Sequence, residues 1–173
     1  DLYDAALAHW DQQLAGFLEL LEREGLADNT IVLVLADHGE QLLEHGLFGH
    51  ANSGYEPALR IPLVWADPLL AVPGRTLPRS VDRRVSIVDI LPTLSSRLGI
   101  PVPAEVQGRQ RWSLASGAAA VSDDPSQTIY TEGTFMANRP FSTLTQTCSD
   151  GRWKLILDRF RDVKELYDLE VDP

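Results

Sequence analysis

The hydrophobic pattern of the chain changes near residue 30, from a helical period to an uninterrupted apolar run. Between residues 2 and 21, apolar side chains recur every three or four positions with polar and charged residues between them. That spacing predicts an amphipathic helix that packs one face on a core, and Gly25 is placed to end it. Ile31 to Leu35 are all apolar and largely β-branched. This run predicts a strand covered on both faces in a parallel sheet.

Further along, the pattern predicts a second strand and a second helix. Residues 60–65 form a short apolar run whose Pro62 stands at the entrance, where a missing N–H does least harm. Residues 67–80 are a loop. Residues 86–98 again have helical spacing, and Pro92 inside them predicts a kink or a late start.

The last third of the chain has a different character. Residues 101–127 are loop-like, with a stretch rich in Ala, Ser and Gly at 113–122 that is expected to be mobile. Three short strand candidates follow, at residues 128–131, 142–148 and 153–157. Asp150-Gly151 between the last two is a strong hairpin signal. We therefore predict an α/β part over residues 1–125 and a small antiparallel sheet over residues 126–173.

Candidate chemistry is concentrated in "LADHGEQLLEHGLFGH", residues 35–50, directly after the first predicted strand. In open α/β sheets, ligands bind at the carboxyl ends of the strands. Asp37 and His38 stand at that end, and Gly39 permits a sharp turn there. A carboxylate with an imidazole suits zinc, manganese, or calcium if oxygen ligands dominate. Two ligands do not complete a site.

Other polar residues of this stretch admit both a functional and a structural interpretation. His45 and His50 can fold back over the same edge, to bind a substrate oxyanion as imidazolium or to act as a general acid. However, an Asp-His-Gly turn by itself is common. Glu40 and Glu44 are spaced i,i+4, and most such pairs belong simply to a solvated face. His9, on the polar side of the first helix, is expected at the surface.

Composition restricts the partners of the chain. A net charge of −10 argues against nucleic-acid binding, which needs a basic face. That charge also repels anionic esters, so a site for them would need a metal ion or local cations. Cys148 is the single cysteine, which leaves neither a disulfide framework nor a thiolate zinc cluster. No apolar stretch approaches the ~18 residues of a membrane span.

Several segments in succession resemble the carboxyl-terminal portion of sulfatases, which belong to the alkaline-phosphatase superfamily. They are "ADHGEQLLEHGLFGHANSGYEPALRIPLVW", "VSIVDILPTLSSRLGIPVPAEVQGRQ", "GRWKLILD" and "ELYDLEVDP". The resemblance implies a three-layer α/β/α part with a small C-terminal antiparallel sheet. The chain also starts without Met inside a helical pattern and ends at Asp172-Pro173. We therefore expect a piece of a longer enzyme, whose missing N-terminal part is its partner.

The resemblance implies one divalent cation, usually calcium, with Asp37 and His38 matching the last pair of its ligands. The nucleophile of sulfatases is a formylglycine made from a Cys/Ser-x-Pro-x-Arg motif, which is absent here. Cys148 is followed by Ser-Asp-Gly, and residues 71–75 have only the frame of the motif, with Ala71 in the place of the nucleophile. The chain alone is therefore expected to be inactive.

The resemblance also gives His50 a role, because it lies thirteen residues after Asp37. Many sulfatases have a sulfate-contacting Lys at this place, whereas related transferases have His. His50 is thus expected to contact the transferred group, with His45 as a second catalytic candidate. The first interpretation is hydrolysis of small-molecule or glycan sulfate monoesters. The alternatives are a phosphoester hydrolase or phosphoethanolamine-type transferase, and a non-catalytic remnant or binding module.

Two further expectations come with the resemblance. The terminal sheet, with Trp153, Lys154 and Tyr167, is similar to a subdomain that often helps to shape the substrate pocket. Members of the family are often exported to the periplasm or secreted, and the compartment of this protein stays open.

Overall fold

A computed structural model describes residues 2–50, 53–70, 80–81, 83–111, 113, 128–135, 143–149, 152–159 and 162–171. The helices are α1 (Leu2–Arg23), α2 (Glu56–Leu59) and α3 (Ile90–Leu98). The strands are β1 (Val32–Leu35), β2 (Gln41–Leu42), β3 (Phe48–Gly49), β4 (Leu63–Ala66), β5 (Ile129–Phe135), β6 (Thr143–Ser149), β7 (Trp153–Asp158) and β8 (Val163–Asp168). The chain divides into two compact units, one of Asp1–Val34 with Val64–Pro78 and the other of Leu35–Leu63 with Arg79–Pro173.

The first unit contains α1 and most of the pair of strands β1 and β4. The predicted first helix is confirmed, and Gly25 adopts the left-handed φ of +67° just beyond its end. The described part of the chain does not bury the apolar face of this helix, since no residue of α1 is buried and Trp10 is half exposed. The predicted cover of β1 on both faces is wrong for this chain. Among the described residues only β4 pairs with β1, which leaves Val32 to Val34 half-buried and Leu35 exposed.

The predicted helix at residues 86–98 is confirmed together with its late start. Ile87–Asp89 form a 3-10 turn, and the α-helix begins only at Ile90, so that Pro92 falls in the first turn, where its missing N–H costs nothing. Ser86 and Asp89 form a reciprocal capping box at the entrance. Gly99, with φ +67°, ends the helix.

Asp89 also ties the segment after α3 back to its first turn. The carboxylate is buried and accepts hydrogen bonds from the backbone N–H of Arg109 at 2.8 Å and from Nε of Arg111 at 3.3 Å. Hence residues 109–111, predicted as plain loop, are held by a buried anion. The stretch at 113–122 lies outside the described residues except for Ser113, and the domain boundary at residues 125 and 126 lies outside them entirely.

The end of the chain forms a four-stranded sheet in the order β5-β6-β7-β8, with every neighbouring pair antiparallel. The three predicted strands are confirmed, and β8 is a fourth that the sequence pattern did not predict. Asp150-Gly151 connects the paired strands β6 and β7, although the two turn residues themselves lie outside the described part of the chain. No helix among the described residues is long and apolar enough to cross a membrane.

Lys154 in β7 is an inward-facing cation in this sheet. It is only 2% exposed, and its Nζ lies 2.5 Å from Oε1 of Glu56 at the start of α2. Burial lowers the pKa of Lys154, while the Glu56 carboxylate opposes that shift. Removing either partner would leave a charge poorly compensated, which is strongly destabilising in a buried pair. The pair therefore fixes the sheet to the segment that follows the candidate site.

Candidate functional site

The turn after β1 is fixed by a close backbone approach at Gly39. Its N–H donates to the carbonyl oxygen of Ala58 at 2.8 Å. A Cβ atom on Gly39 would lie 2.0 Å from the carbonyl oxygen of Pro57, a distance that no side chain can accept. Glycine is therefore required here for space, and it brings the Asp37-His38 turn against α2.

Asp37 and His38 converge on one point. Oδ1 of Asp37 lies 3.7 Å from Nε2 of His38 and also accepts the His38 backbone N–H at 3.0 Å. Nδ1 of His38 lies 2.9 Å from the carbonyl oxygen of Gly39. Since a carbonyl only accepts, Nδ1 donates to it, and Nε2 is the ring nitrogen left for another partner. The Asp37 side chain is 90% exposed, so this carboxylate is open to a ligand.

The hairpin of β2 and β3 returns the chain to the same place. Gln41 pairs with Gly49 and Leu42 with Phe48, and Gly49 turns at a left-handed φ of +95°. His50 is thereby stacked on His38, with ring centroids 4.0 Å apart and an angle of 21° between the planes. The structure thus brings together three residues of the sequence prediction, namely Asp37, His38 and His50.

Glu40 completes this group, and sequence reasoning missed it. Its Oε2 lies 3.0 Å from Nδ1 of His50, and its side chain is only 27% exposed. A carboxylate accepts, so Nδ1 of His50 is the donor and Nε2 points away from Glu40. The interpretation of Glu40 and Glu44 as a solvated face is wrong for Glu40, which is partly buried against His50, whereas Glu44 is exposed.

Glu44 has a structural role instead. Its Oε2 accepts the backbone N–H of Leu42 at 2.6 Å. Hydrogen bonds from its own backbone N–H and from that of Leu42 hold the pKa of Glu44 below its ordinary value. Glu44 thereby closes the hairpin turn between β2 and β3.

His45 belongs to a second group. It has a left-handed φ of +54°, and its ring lies flat on the ring of Tyr55, with centroids 3.8 Å apart and 9° between the planes. Tyr55 in turn donates from its hydroxyl to Oε2 of Glu165 at 2.8 Å. The two histidines that were predicted as catalytic therefore sit in different surroundings, His50 on His38 and His45 on Tyr55.

The residues present fit a cation in part. Two bonds of about 2.1 Å can span the 3.7 Å between Oδ1 of Asp37 and Nε2 of His38. Yet in the described part of the chain no group of three or more His, Cys, Asp and Glu is arranged to hold a metal ion. Asp37 and His38 thus offer a cation two donors, which is fewer than a complete site requires.

Comparison with known proteins decides the family, since residues 1–100 match the sulfatase family. The chain belongs to the sulfatases. Arylsulfatase K of Mus musculus is 30% identical over 184 residues, which cover 99% of this chain and 30% of that protein. The sulfatase chain therefore spans less than a third of the length of this curated relative.

Solved structures confirm the predicted fold class. One that is 26% identical holds its substrate, D-glucosamine-2-N,6-O-disulfate; it matches with a TM-score of 0.75 over 94% of this chain and 32% of its own. The phosphonate monoester hydrolase of Agrobacterium radiobacter, 24% identical, matches with a TM-score of 0.78 over 96% of this chain and 34% of its own. This sulfatase chain thus has the alkaline-phosphatase-like α/β fold.

Proposed function

We propose that the whole protein hydrolyses sulfate monoesters with the help of a divalent cation, and that this chain supplies half of the polar site. The observation that carries the proposal is the stack of His38 on His50, with Asp37 and Glu40 at its two ends. In a member of the sulfatase family, that arrangement places a pair of cation donors next to a histidine that can contact the group transferred.

Asp37 and His38 would hold the cation through Oδ1 and Nε2. The hydrogen bond from Nδ1 of His38 to the Gly39 carbonyl fixes the ring in the tautomer that a ligand needs. A cation bound there would polarise a non-bridging oxygen of the ester and neutralise its charge. Calcium is the first candidate, and manganese and zinc are the alternatives.

His50 would bind an oxygen of the sulfuryl group through Nε2. Glu40 holds the opposite nitrogen at 3.0 Å, so that the ring presents a fixed edge to the substrate. A preset donor stabilises developing negative charge without having to reorient during the reaction. The attacking nucleophile is not part of this chain, and the rest of the enzyme would provide it.

The charge of the chain supports a cation-dependent mechanism. Its net charge of −10, and four carboxylates between residues 37 and 56, repel a sulfate ester. The three histidines of this stretch, even as imidazolium ions, would offset only part of that charge. A bound cation reverses the local field, and it makes binding of an anion at this place favourable.

Sulfated sugars and aryl sulfates are the substrates that we propose. The related structure with a disulfated glucosamine supports the first class, and the relation to an arylsulfatase supports the second. Hydrolysis of phosphoesters or phosphonates is the alternative, because His50 rather than Lys lies thirteen residues after Asp37.

Kinetics of the full-length enzyme test the proposal. The wild type, His50→Ala and the exposed-helix control His9→Ala are assayed with 4-nitrophenyl sulfate, 4-nitrophenyl phosphate and a phenylphosphonate monoester, before and after chelation. We expect sulfate hydrolysis to be preferred, to be lost on chelation, and to fall in His50→Ala alone. Preference for either phosphorus ester assigns the alternative reaction. Absence of turnover with every substrate by a folded, cation-loaded enzyme overturns the proposal.

A further inference from the structure

Glu165 in β8 accepts two phenol hydroxyls on one oxygen. Tyr55 and Tyr167 both donate to Oε2 at 2.8 Å. Glu165 and Tyr167 are two residues apart on one strand, so they share a face of the sheet. Tyr55 lies 110 residues earlier in the sequence. This carboxylate therefore fixes a ring of the polar loop to the terminal sheet.

The residue next to Tyr55 is anchored to the same sheet. Glu56 pairs with the buried Lys154 of β7, and Lys154 is the register partner of Tyr167 in β8. Residues 55 and 56 are thus held by two polar contacts on neighbouring strands. The rings of Tyr55 and Tyr167 also meet edge to face, with centroids 6.2 Å apart and 83° between the planes, which further restricts the Tyr55 phenol.

The loop above Tyr55 needs such support because its backbone is strained. Leu43 and His45 both have positive φ, at 89° and 54°, within three residues. Non-glycine residues in the left-handed region cost of order 1 kcal/mol each and persist only where the surroundings hold them. The flat contact of His45 on Tyr55 is the side-chain interaction that can hold the histidine in this conformation.

We infer that Glu165 is a positioning residue for His45, and that it acts through the ring of Tyr55. The inference rests on the proposed function, since it assigns His45 to the same substrate site. A phenol that lies flat on the imidazole hinders rotation of the ring about the Cβ–Cγ bond of His45, so the plane of the ring stays fixed. The terminal sheet would thereby set where His45 meets the substrate.

A double-mutant cycle in the full-length enzyme tests this inference. kcat and KM with 4-nitrophenyl sulfate are measured for His45→Ala, Glu165→Ala and the double variant. We expect Glu165→Ala to lower kcat/KM by between about tenfold and about a hundredfold, the cost of a misplaced group. In the His45→Ala background the same change should cost less than about twofold, because the group that Glu165 positions is gone.

Two further variants separate positioning from general support of the fold. Tyr55→Phe keeps the ring but loses the hydrogen bond to Glu165, and should show a milder loss that also vanishes in the His45→Ala background. Tyr130→Phe removes an exposed phenol that is bonded to Glu132 in β5, away from this contact, and should leave kcat/KM unchanged. The NMR signal of the His45 ring, assigned by its loss in His45→Ala, should shift in Tyr55→Phe but not in Tyr130→Phe.

The outcomes distinguish this inference from the proposed function. His50→Ala, measured in the same assay, reports on the proposed function alone. If His50→Ala lowers kcat/KM but Glu165→Ala costs the same with and without His45, the inference is overturned and the function stands. Wild-type kinetics in His45→Ala would mean that His45 takes no part in the reaction, and this result overturns the inference as well. If Glu165→Ala does not fold, the cycle of Tyr55→Phe with His45→Ala decides.

Discussion

His38 and His50, twelve residues apart in the sequence, lie face to face with their ring centroids 4.0 Å apart. The contact joins the residue that can hold a cation to the residue that can hold the transferred group. The Nδ1 atoms of the two rings have different acceptors: the Gly39 carbonyl for His38 and the Glu40 carboxylate for His50. Consequently, each histidine has one nitrogen in use within the protein and one available.

Replacement of His50 by Ala should lower kcat/KM of the full-length enzyme by ~10²- to 10⁴-fold, the usual contribution of an acid–base or charge-stabilising side chain. The side chain is half exposed, so the loss of packing is small. Steady-state kinetics and the melting temperature of the same sample check this, with His9→Ala on α1 as the control. If the melting temperature falls while kcat/KM holds within about twofold, His50 is scaffolding.

Glu40→Gln should reduce kcat/KM by about 10- to 100-fold, as loss of a carboxylate behind a functional histidine usually does. The amide can still accept from Nδ1 of His50, but it no longer carries the charge that orients and supports the ring. Glu44→Gln is the matched control, since it changes a carboxylate four residues away that caps the backbone of Leu42. We expect that variant to lose thermal stability and to keep its kinetics. Equal kinetics for both variants would contradict the role of Glu40.

Asp37→Asn should weaken cation binding by about tenfold or more, because the amide oxygen is a neutral and poorer donor. Cation content after dialysis and the midpoint of reactivation with added calcium measure the effect in the whole enzyme. Asp28→Asn, in the 3-10 turn before β1, changes the net charge equally without touching the site. An unchanged midpoint in Asp37→Asn would remove this residue from the ligand set.

Two glycine substitutions should have opposite effects on stability. Gly39→Ala places a methyl group 2.0 Å from the Pro57 carbonyl oxygen and should destabilise by about 1–3 kcal/mol or more. Gly16→Ala lies inside α1 with no atom within 4 Å of the new Cβ, so it should stabilise by roughly 0.5–1 kcal/mol. Denaturant unfolding of both variants checks the pair, and a neutral Gly39→Ala would refute the close approach.

Tyr167 should make the protein sensitive to alkali. Burial raises the pKa of its phenol well above the ordinary value, and the hydrogen bond to Glu165 raises it further. In the unfolded chain the phenol ionises near pH 10, where the folded chain still keeps the proton. The unfolded state then binds fewer protons, so the free energy of unfolding falls as pH rises above about 10.

Melting temperatures at about pH 9 and about pH 11, on either side of the ordinary phenol pKa, check this. The decrease in melting temperature between these two pH values should be smaller in Tyr167→Phe than in the wild type. Tyr130→Phe, which removes an exposed phenol bonded to Glu132, should leave the fall unchanged. An equal fall in Tyr167→Phe and the wild type would contradict the prediction.

The local part of this site could be predicted because its signals are adjacent in the sequence. An apolar run that ends in Asp-His-Gly predicted a strand followed by a polar turn, and Gly39 indicated a sharp bend. The interpretation of Glu40 as part of a solvated face failed because its partner, His50, follows ten residues later, across the β2–β3 hairpin. The turn of that hairpin includes a positive φ at Leu43, a residue that rarely adopts it, and no sequence rule anticipates it.

The remote part could not be predicted, because it depends on contacts over about a hundred residues. Nothing near Tyr55 indicates that its hydroxyl reaches Glu165, and nothing near Lys154 indicates a buried pair with Glu56. The strand β8 gave no clear signal either. In Val163–Asp168 the polar residues Lys164, Glu165 and Asp168 do not alternate with apolar ones, so the period of two that is typical of a strand is missing.

The close approach of Gly39 to Pro57 and Ala58 determines the shortest segment that can be transplanted from this enzyme into a related one. The amide of Gly39 and the carbonyl of Ala58 are bonded to each other, and the β2–β3 hairpin lies between them along the chain. In this protein a Cβ on Gly39 would lie 2.0 Å from the carbonyl oxygen of Pro57. A graft that carries only the Asp-His-Gly turn would lack the backbone of residues 57 and 58 that fits so closely against this glycine. Residues 37–58 therefore form one cassette, and chimaeras that cut inside it should fail where those that cut outside it succeed.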